Sequence, residues 1–476
     1  MSVIKNYINS IITIVLMVGI GLLPPFGSIT ELGMDILGVF VGVVYGWCTC
    51  SFIWTSILAM LLLAITGYDT FTSIASTGFG DTNFVISMFT VLVFMGFIEK
   101  TKCMEWVAKK LLSLQVIKGK PWLLCGLMFL ISGFIGGFTN AIAIVILLWS
   151  IVYSVCDEVG LDKRSEFISF TSIGIVAFGS FSNSIWPFMP MTAAGIGLIS
   201  RGSGVPVADI MGPWYIMGPL TMLIIIVCYV LLGKFIFRLD ASKLKNADLT
   251  KNTVVATNEQ KLGLAFLIIF VTALVIPMIF PDTWFITKVF SNWGLIGTAL
   301  LLICAACFVK DADGKHTYEF ADMAKGVNWN LVIMFIASVP ICNAFESEGA
   351  GIITTITEAA MPFVLSLGPA MFTVVACLIF VIVTQVAHNL ILMLVFTSVF
   401  VSFACQLGLN GAAFGMLFYF SLQTALMTPG ASVFGALAFG NEHAPRTHII
   451  KYTTCYVAFA FVLLMVLIWP LANMMF

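Results

Sequence analysis

Four short groups of uncharged polar residues interrupt long apolar stretches of this sequence. They are Thr139-Asn140, Ser182-Asn183-Ser184, Thr384-Gln385 with His388-Asn389, and Thr428-Pro429-Gly430. An Asn side chain offers a carbonyl oxygen to a cation and an amide N–H to an anion. A helix that breaks at such a group leaves free N–H groups at one new end and free carbonyls at the other, which suit a small anion and Na⁺ respectively. These residues are therefore candidates for an anion and Na⁺ site.

Each group also has a simpler interpretation. An isolated Asn in an apolar segment commonly forms a hydrogen bond to a neighbouring helix. His388, the only histidine in an apolar segment, could be protonated and bind an anion, take part in proton coupling, or be packed in its neutral form. The recurrence of the breaks in a paired arrangement favours a binding site, whereas the role of His388 stays open.

The composition shows in which solvent these residues act. Of the 476 residues, 60% are hydrophobic and only 9% are charged, whereas roughly 25% of the residues in a soluble domain are charged. This excess of apolar residues excludes a soluble enzyme, a nucleic-acid-binding protein and a disordered chain. The apolar runs are continuous rather than alternating, which predicts an all-α polytopic membrane protein and not a β-barrel.

Apolar segments that could span a bilayer, or nearly so, recur along the whole chain. They lie at about 8–23, 34–49, 51–67, 83–98, 121–156, 165–200, 213–237, 262–280, 285–309, 328–345, 360–408, 411–440 and 450–475. Polar breaks within a membrane are costly unless they line a cavity. We therefore interpret 121–156 and 360–408 as re-entrant hairpins, and 165–200 and 411–440 as broken helices. About 11 transmembrane helices then remain.

The two halves of the chain present these features in the same order. Glu99 follows Asn83 at the same spacing as Glu346 follows Asn330, and the polar tips and later breaks come at similar distances in both halves. Paired breaks of this kind are typical of transporters that are built from inverted repeats, with the binding site near the midplane. The spacing predicts such a repeat.

The positive charges predict the orientation of the chain. With a cytoplasmic N-terminus and two hairpins, all of the 22 Lys and Arg residues except Arg201 and Lys288 fall on the cytoplasmic side. We therefore expect a multi-pass protein of the cell (inner) membrane. The predicted parts are a retained N-terminal helix (1–33), a first inverted repeat (34–238), a polar cytoplasmic linker (239–261) and a second inverted repeat (262–476).

Three stretches can be compared with a known family. A G-F-x-N-P-T … F-E-K-T-G pattern is similar to the run Gly42 to Trp47 followed by Gly78-Phe79-Gly80-Asp81-Thr82-Asn83 and Phe97-Ile98-Glu99-Lys100-Thr101. The hairpin tips occupy the places of two Ser-Asn-Thr motifs, and Met427-Thr428-Pro429-Gly430 occupies the place of a T-P-P-N-type break. In these features the chain resembles the divalent anion/sodium symporter family, the solute carrier 13 or INDY-like group of the ion transporter superfamily. The resemblance covers nearly the whole chain in order and spacing.

The resemblance implies eleven transmembrane helices, two hairpins, inverted repeats and a homodimer. It also implies uptake of a dicarboxylate, citrate or sulfate with Na⁺ by an elevator-like movement. The implied Na⁺ ligands are Thr139 and Asn140 in the first half, and Thr384, Ala387, Asn389 and a carbonyl near Met427 in the second. The expected substrate-binding residues are Thr139, Asn140, Ser182, Asn183, Ser184, His388, Asn389, Thr428, Pro429 and Gly430.

The sequence departs from the family pattern at the hairpin tips. Both motif threonines, which the resemblance implies to touch a substrate carboxylate, are replaced by Ala141 and Leu390. His388 replaces the second motif's Ser, and Ile135 stands where a hydroxyl of the first Na⁺ site is expected. These losses fit a less polar or singly charged organic anion.

Three functional hypotheses follow. The first is a Na⁺-coupled transporter of small organic anions, with the lipid bilayer as its solvent, Na⁺ as its coupling ion and no other cofactor. The second is a proton-coupled anion permease or a cation/proton antiporter that uses His388. The third is an intramembrane protease, because Gly78-Phe79-Gly80-Asp81 matches a G-x-G-D pattern and Asp69 lies upstream. A pump driven by ATP is disfavoured because no G-x-x-x-x-G-K-[ST] motif occurs.

Overall fold

A computed structural model describes residues 2–81, 85–246, 255–281, 283–310 and 314–476 of the chain. Two features of the sequence fall outside the described residues. One is Asn83 with its neighbours Thr82 and Phe84, and the other is the part of the predicted linker at 247–254.

The described residues are almost entirely helical, with 79% in helices and no strand. The first half contains α1 (Ser2–Gly19), α2 (Glu31–Thr49), α3 (Phe52–Ile65), α4 (Phe71–Phe79), α5 (Ser87–Thr101), α6 (Cys103–Leu112), α7 (Pro121–Leu130), α8 (Ala141–Val159), α9 (Glu166–Phe181), α10 (Pro190–Ser203) and α11 (Val207–Leu231). The second half contains α12 (Asn258–Ile279), α13 (Phe285–Cys307), α14 (Phe320–Ala324), α15 (Trp329–Glu346), α16 (Ile352–Val383), α17 (Asn389–Gln406), α18 (Gly411–Leu422), α19 (Val433–Phe439), α20 (Arg446–Leu463) and α21 (Trp469–Met475).

The lengths of the helices match the thickness of a bilayer. Among the described residues, ten helices are long and apolar enough to cross a membrane, and 7–22, 52–65, 121–135 and 411–422 form shorter apolar helices. A span of about 20 apolar residues is needed to cross the hydrocarbon core. The predicted class, an all-α polytopic membrane protein, is therefore confirmed.

Both predicted hairpins are present as two helices joined by a short turn. In the first, α7 continues through one turn of π-helix (Ile131–Ile135) to a tip at 136–140, where α8 begins. In the second, Gly368 has φ 68° and divides α16 into two helices. A positive φ of this kind is readily adopted only by glycine. The first arm of the second hairpin therefore begins at this break, later than the apolar run at 360 suggested.

The contacts between helices of the two halves come in corresponding pairs. Helix α5 packs against α13 and α14, and α15 packs correspondingly against α3 and α4. After the two later breaks, α10 packs against α18, and α19 packs against α9. An internal two-fold relation would produce this pairing, so the contacts support the predicted repeat, whose boundaries and inversion stay a prediction.

Ion pairs join loops that the charge pattern places on one side of the membrane. Lys100 lies 2.9 Å from Asp322, and Lys451 lies 2.9 Å from Glu166. Hydrogen bonds from Lys100 and Lys325 lower the pKa of the partly exposed Asp322 carboxyl to about 2. Exposed pairs of this kind contribute little to stability. Their value here is that they agree with the predicted grouping of the loops.

The orientation can be tested by reporter fusions. We expect a fluorescent protein that matures only in the cytoplasm to be active when it is fused after Lys120 or Asp240, because Lys and Arg are retained on that side. We expect alkaline phosphatase, which is active only outside the cytoplasm, to report when it is fused after Gly27 or Gly204. The opposite pattern of activities would show that the predicted orientation is wrong.

Candidate functional site

The side chain of Gln385 binds the second hairpin tip to the interruption between α18 and α19, which we call the second break. Its Nε2 donates hydrogen bonds to the carbonyls of Val381 (2.7 Å) and Thr424 (3.2 Å). Its Oε1 accepts hydrogen bonds from the N–H groups of Leu426 (3.0 Å) and Met427 (2.9 Å). The side chain is 6% exposed, so one amide satisfies four backbone groups that the breaks leave inside the protein.

Three residues that the sequence predicted for the site form further hydrogen bonds between the second tip and the second break. The hydroxyl of Thr384 donates to the carbonyl of the last α18 residue at 3.2 Å. The Nδ2 atom of Asn389 donates to Gln423 Oε1 at 3.2 Å. The hydroxyl of Thr428 donates to the backbone carbonyl of Gln385. The structure therefore places Thr384, Asn389 and Thr428 together.

The remaining predicted residues of the second half lie at the edge of this cluster. Met427 reaches it through its backbone N–H, and Ala387 is half-buried in the tip. Pro429 and Gly430 are exposed. Pro429 lines an open cavity of about 510 Å³ together with Arg446.

His388 caps α17 and packs against an aromatic ring. Its Nδ1 accepts the N–H of Leu390 at 3.3 Å, and its ring lies edge-on to Phe52 with 6.3 Å between centroids. The same N–H also donates to the Asn389 Oδ1 at 2.9 Å, so the bond is shared, and an Nδ1 that accepts carries no proton. The geometry favours a neutral capping histidine over a protonated anion ligand.

The first hairpin tip packs closely on the first break, which is the interruption at Ser182–Ser184 between α9 and α10. A Cβ atom at Gly137 would lie 2.9 Å from the carbonyl oxygen of Ser182, and one at Gly136 would lie 3.2 Å from its hydroxyl. Asn140 caps α8, because its Oδ1 accepts N–H groups of the first turn at 3.1 and 3.4 Å. The tip therefore meets Ser182 through glycine backbone, and no hydrogen bond of the described residues joins Thr139 or Asn140 to the break.

The other predicted residues of the first half lie within the break. Asn183 is half-buried, and its carbonyl accepts the hydroxyl of Thr192 at 2.7 Å. Ser184 is buried, and its carbonyl accepts the indole N–H of Trp214 at 3.0 Å. Thr139 is half-buried. The serines and Asn183 thus stabilise the irregular backbone here, as breaks within a membrane require.

The two broken helices cross at their breaks. The rings of Phe181 and Phe420 lie 5.2 Å apart, and the hydroxyls of Thr192 and Tyr419 are separated by 3.4 Å. Both breaks therefore lie in one central region. In contrast, the described residues show no hydrogen bond between the two hairpin tips.

Buried nitrogen donors at the breaks lack a hydrogen-bond partner among the described residues. They are the indole N–H of Trp186 and the Nε2 of Gln423, whose side chain is 2% exposed. Buried donors without an acceptor are costly, and they are usually satisfied by water or a ligand. The sequence alone missed both residues, as well as Gln385. Their position within a polar interruption was the one feature of the sequence that could have indicated them.

A separate cavity of about 220 Å³ lies between α10, α15 and α17, with Asp81 and Arg201 in its lining. Glu346, at the end of α15, accepts the hydroxyl of Ser398 on α17 at 2.6 Å. Its other oxygen lies 3.6 Å from Arg201 Nη1 on α10. Glu346 therefore connects α15 to two helices that carry the candidate site.

The proposed protease pair does not meet in one site. Asp69 precedes α4, where it accepts the hydroxyl of Ser73, and Asp81 follows the same helix. The nine residues of α4 span about 13 Å at 1.5 Å per residue. An aspartyl dyad needs two carboxyls close together, so this geometry does not favour the protease hypothesis.

The comparisons with known proteins can now be set beside this geometry. No protein-family model and no curated protein matches the sequence. The structure is similar to the crystal structure of the YdaH transporter of Alcanivorax borkumensis, which reveals an unusual topology. The two share 13% sequence identity, and the match covers 84% of this chain and 87% of that chain with a TM-score of 0.58. This is the fold of a membrane transporter.

At this identity the likeness extends to the fold alone. The predicted polytopic membrane fold agrees with that structure, whereas transport by this chain stays a prediction. The resemblance to the divalent anion/sodium symporter family stays a prediction in its finer part, and so do the coupling ion and the anion.

The connection at Glu346 gives a test of stability. We expect Glu346→Ala to lower the free energy of unfolding by about 1–2 kcal/mol, because Ser398 and Arg201 lose a charged acceptor. The exposed Glu348 is a matched control, and Glu348→Ala should change the free energy by less than about 0.5 kcal/mol. Thermal unfolding in detergent measures both, and equal effects would contradict the assignment.

Proposed function

We propose that this protein is a secondary active transporter that couples the entry of Na⁺ to uptake of a small organic anion. The observation that supports it best is the central region where two broken helices cross, with buried N–H donors on Trp186 and Gln423 that lack acceptors. Irregular backbone inside a membrane protein is found where it lines a substrate site.

The chemistry of the central region favours an anion of low charge. The predicted site residues include no Asp, Glu, Lys or Arg, and the unsatisfied groups are donors, which prefer an acceptor such as a carboxylate oxygen. Ala141 and Leu390 bring apolar side chains to the starts of α8 and α17. A monocarboxylate with an apolar part therefore fits better than a compact dicarboxylate, although both belong to the proposed class.

A neutral site also explains why a cation would accompany the anion. A buried negative charge is costly unless a positive charge lies nearby. Na⁺ supplies that charge, and amide, hydroxyl and carbonyl oxygens are its proposed ligands. The candidates are the two sets that the resemblance implies, at Thr139 and Asn140 in the first half and at Thr384, Ala387, Asn389 and Met427 in the second.

The proposed movement is an elevator-like displacement of the helices that hold the site. Helices α10, α17 and α18 pack on one another, α9 packs against α19, and hydrogen bonds tie the second hairpin tip to the break after α18. These elements can therefore move as one body. In that movement the contacts of Glu346 with Arg201 and Ser398 would have to break. Assembly as a homodimer in the inner membrane, with a cytoplasmic N-terminus, belongs to the same proposal.

Coupling to Na⁺ can be measured in proteoliposomes. We expect uptake of radiolabelled butyrate or succinate to require an inward Na⁺ gradient, with choline as the control cation. Asn389→Ala should reduce uptake about tenfold, since its amide hydrogen bond is lost. Asn410, which caps α18 through its side chain, provides a matched control: Asn410→Ala removes a helix cap away from the site and should reduce uptake much less. Equal uptake in Na⁺ and in choline would exclude Na⁺ coupling.

Proton coupling through His388 makes a different prediction. Because Asn is a good helix cap, we expect His388→Asn to retain transport, whereas His388→Ala should lose activity through loss of the cap. The dependence of the uptake rate on pH should be the same in wild type and in His388→Asn. A pH dependence that disappears in His388→Asn would instead support a proton-coupled permease or antiporter.

A further inference from the structure

We infer that the amide of Gln385 takes the place of a cation in the second half of the chain, so that Na⁺ coupling passes through the first half. The inference deepens the proposed function and rests on its Na⁺ coupling. It assigns a role to Gln385 that neither the sequence pattern nor the fold indicates.

The first observation is where the Nε2 group of Gln385 lies. The carbonyls that it contacts belong to Val381, in the last turn of α16, and Thr424, just beyond α18. The C-terminal ends of two half-helices therefore converge on one point. Such ends carry partial negative charge, and in transporters with broken helices they coordinate the coupling cation. At this point the protein has placed its own N–H donors.

The second observation is that every hydrogen-bond donor and acceptor of this amide has a partner. A glutamine side chain can donate two hydrogen bonds and accept two, and Gln385 does both, to Val381 and Thr424 and from Leu426 and Met427. The side chain is buried, so these bonds persist without water. The tip and the break are therefore held together whether or not an ion is present.

The third observation concerns the oxygen atoms that the family resemblance implies for Na⁺ in this half. The hydroxyl of Thr384 donates to a carbonyl of α18. The Oδ1 of Asn389 accepts the N–H of Leu390 at 2.9 Å, while its Nδ2 donates to Gln423. Both groups are held by protein partners without an ion, and each oxygen keeps a lone pair, so it is the Nε2 of Gln385, and not these bonds, that occupies the place of an ion.

The first half differs at the equivalent position. Gln385 lies four residues before Asn389, and the residue four before Asn140 is Gly136. Glycine has no side chain, and a Cβ atom there would lie 3.2 Å from the Ser182 hydroxyl. The first tip thus has no tethered amide, and we place the cation there, beside Thr139 and Asn140. The Oδ1 of Asn140 caps α8 and the Ser182 hydroxyl donates to the Gly179 carbonyl, so the remaining lone pairs of these oxygens would bind it.

The competing explanation is that Gln385 only holds the backbone together. Both explanations predict a loss of stability when the amide is removed, but they differ in the response to Na⁺. If the amide replaces a cation, its removal creates a space that faces the carbonyls of Val381 and Thr424, and Na⁺ should fill it. If the amide is only structural, Na⁺ should not compensate.

The experiment compares Gln385→Ala with Gln385→Met in full-length purified protein. For each variant, the Tm is measured in NaCl and in choline chloride at equal ionic strength. We expect the rise in Tm caused by Na⁺ to be at least twice the wild-type rise in Gln385→Ala, because ligand binding stabilises the folded state. In Gln385→Met, whose side chain fills the space with apolar atoms, the rise should not exceed that of wild type. Equal responses in the two variants would overturn the inference.

A second variant covers the case in which Gln385→Ala does not fold. Gln385→Glu keeps the acceptor for Leu426 and Met427 but turns a carboxylate oxygen toward the two carbonyls. We expect its Tm at pH 8 to depend on Na⁺ more strongly than that of wild type, since a cation must separate these oxygens. A Tm that is no more sensitive to Na⁺ than that of wild type would contradict the inference.

The first half is tested with Thr139. We expect the Na⁺ response of wild type, in Tm and in uptake, to be lost in Thr139→Val and retained in Thr139→Ser, which keeps the hydroxyl. A full response in Thr139→Val would overturn the assignment to the first half. If wild type shows no Na⁺ response while Gln385→Ala and Gln385→Glu gain one, then Na⁺ coupling is wrong but the role of Gln385 is supported.

Discussion

The whole arrangement depends on one constraint, which is that backbone N–H and carbonyl groups within a membrane must find partners inside the protein. An unbroken helix satisfies this constraint alone, but the described residues include helices and hairpins that are interrupted. Each interruption leaves groups that a neighbouring element must satisfy, as Gln385 does for the second break. The breaks therefore determine which elements pack together at the centre of the protein.

The same constraint explains why parts of the structure could be predicted. Apolar segments and their polar interruptions are visible in the sequence, which therefore predicts the helices, the hairpin tips at Asn140 and Asn389 and the broken helices. Capping is equally local, since Asn is a preferred cap and Asn140 caps α8, although the sequence predicted Asn140 as a ligand. These features depend on residues that are close in sequence.

The features that the sequence did not reveal depend on contacts between distant segments. The partner of Gln385 is a turn some forty residues later, and nothing in its local sequence distinguishes it from a polar residue that faces a cavity. The division of α16 at Gly368 depends on a positive φ, which a glycine permits but does not require. Likewise, the indole N–H of Trp186 becomes informative only when the packing around it is known.

The two halves have the same order of helices but satisfy the backbone groups at their breaks in different ways. In the second half, side chains supply the donors for the exposed carbonyls, through Gln385 and Thr384. In the first, Gly136 and Gly137 let the tip approach Ser182 by backbone alone. A repeat whose halves were chemically identical would bind an ion in both places. Under the proposed Na⁺ coupling, the asymmetric pair would hold one half fixed and leave the other free to respond to the ion.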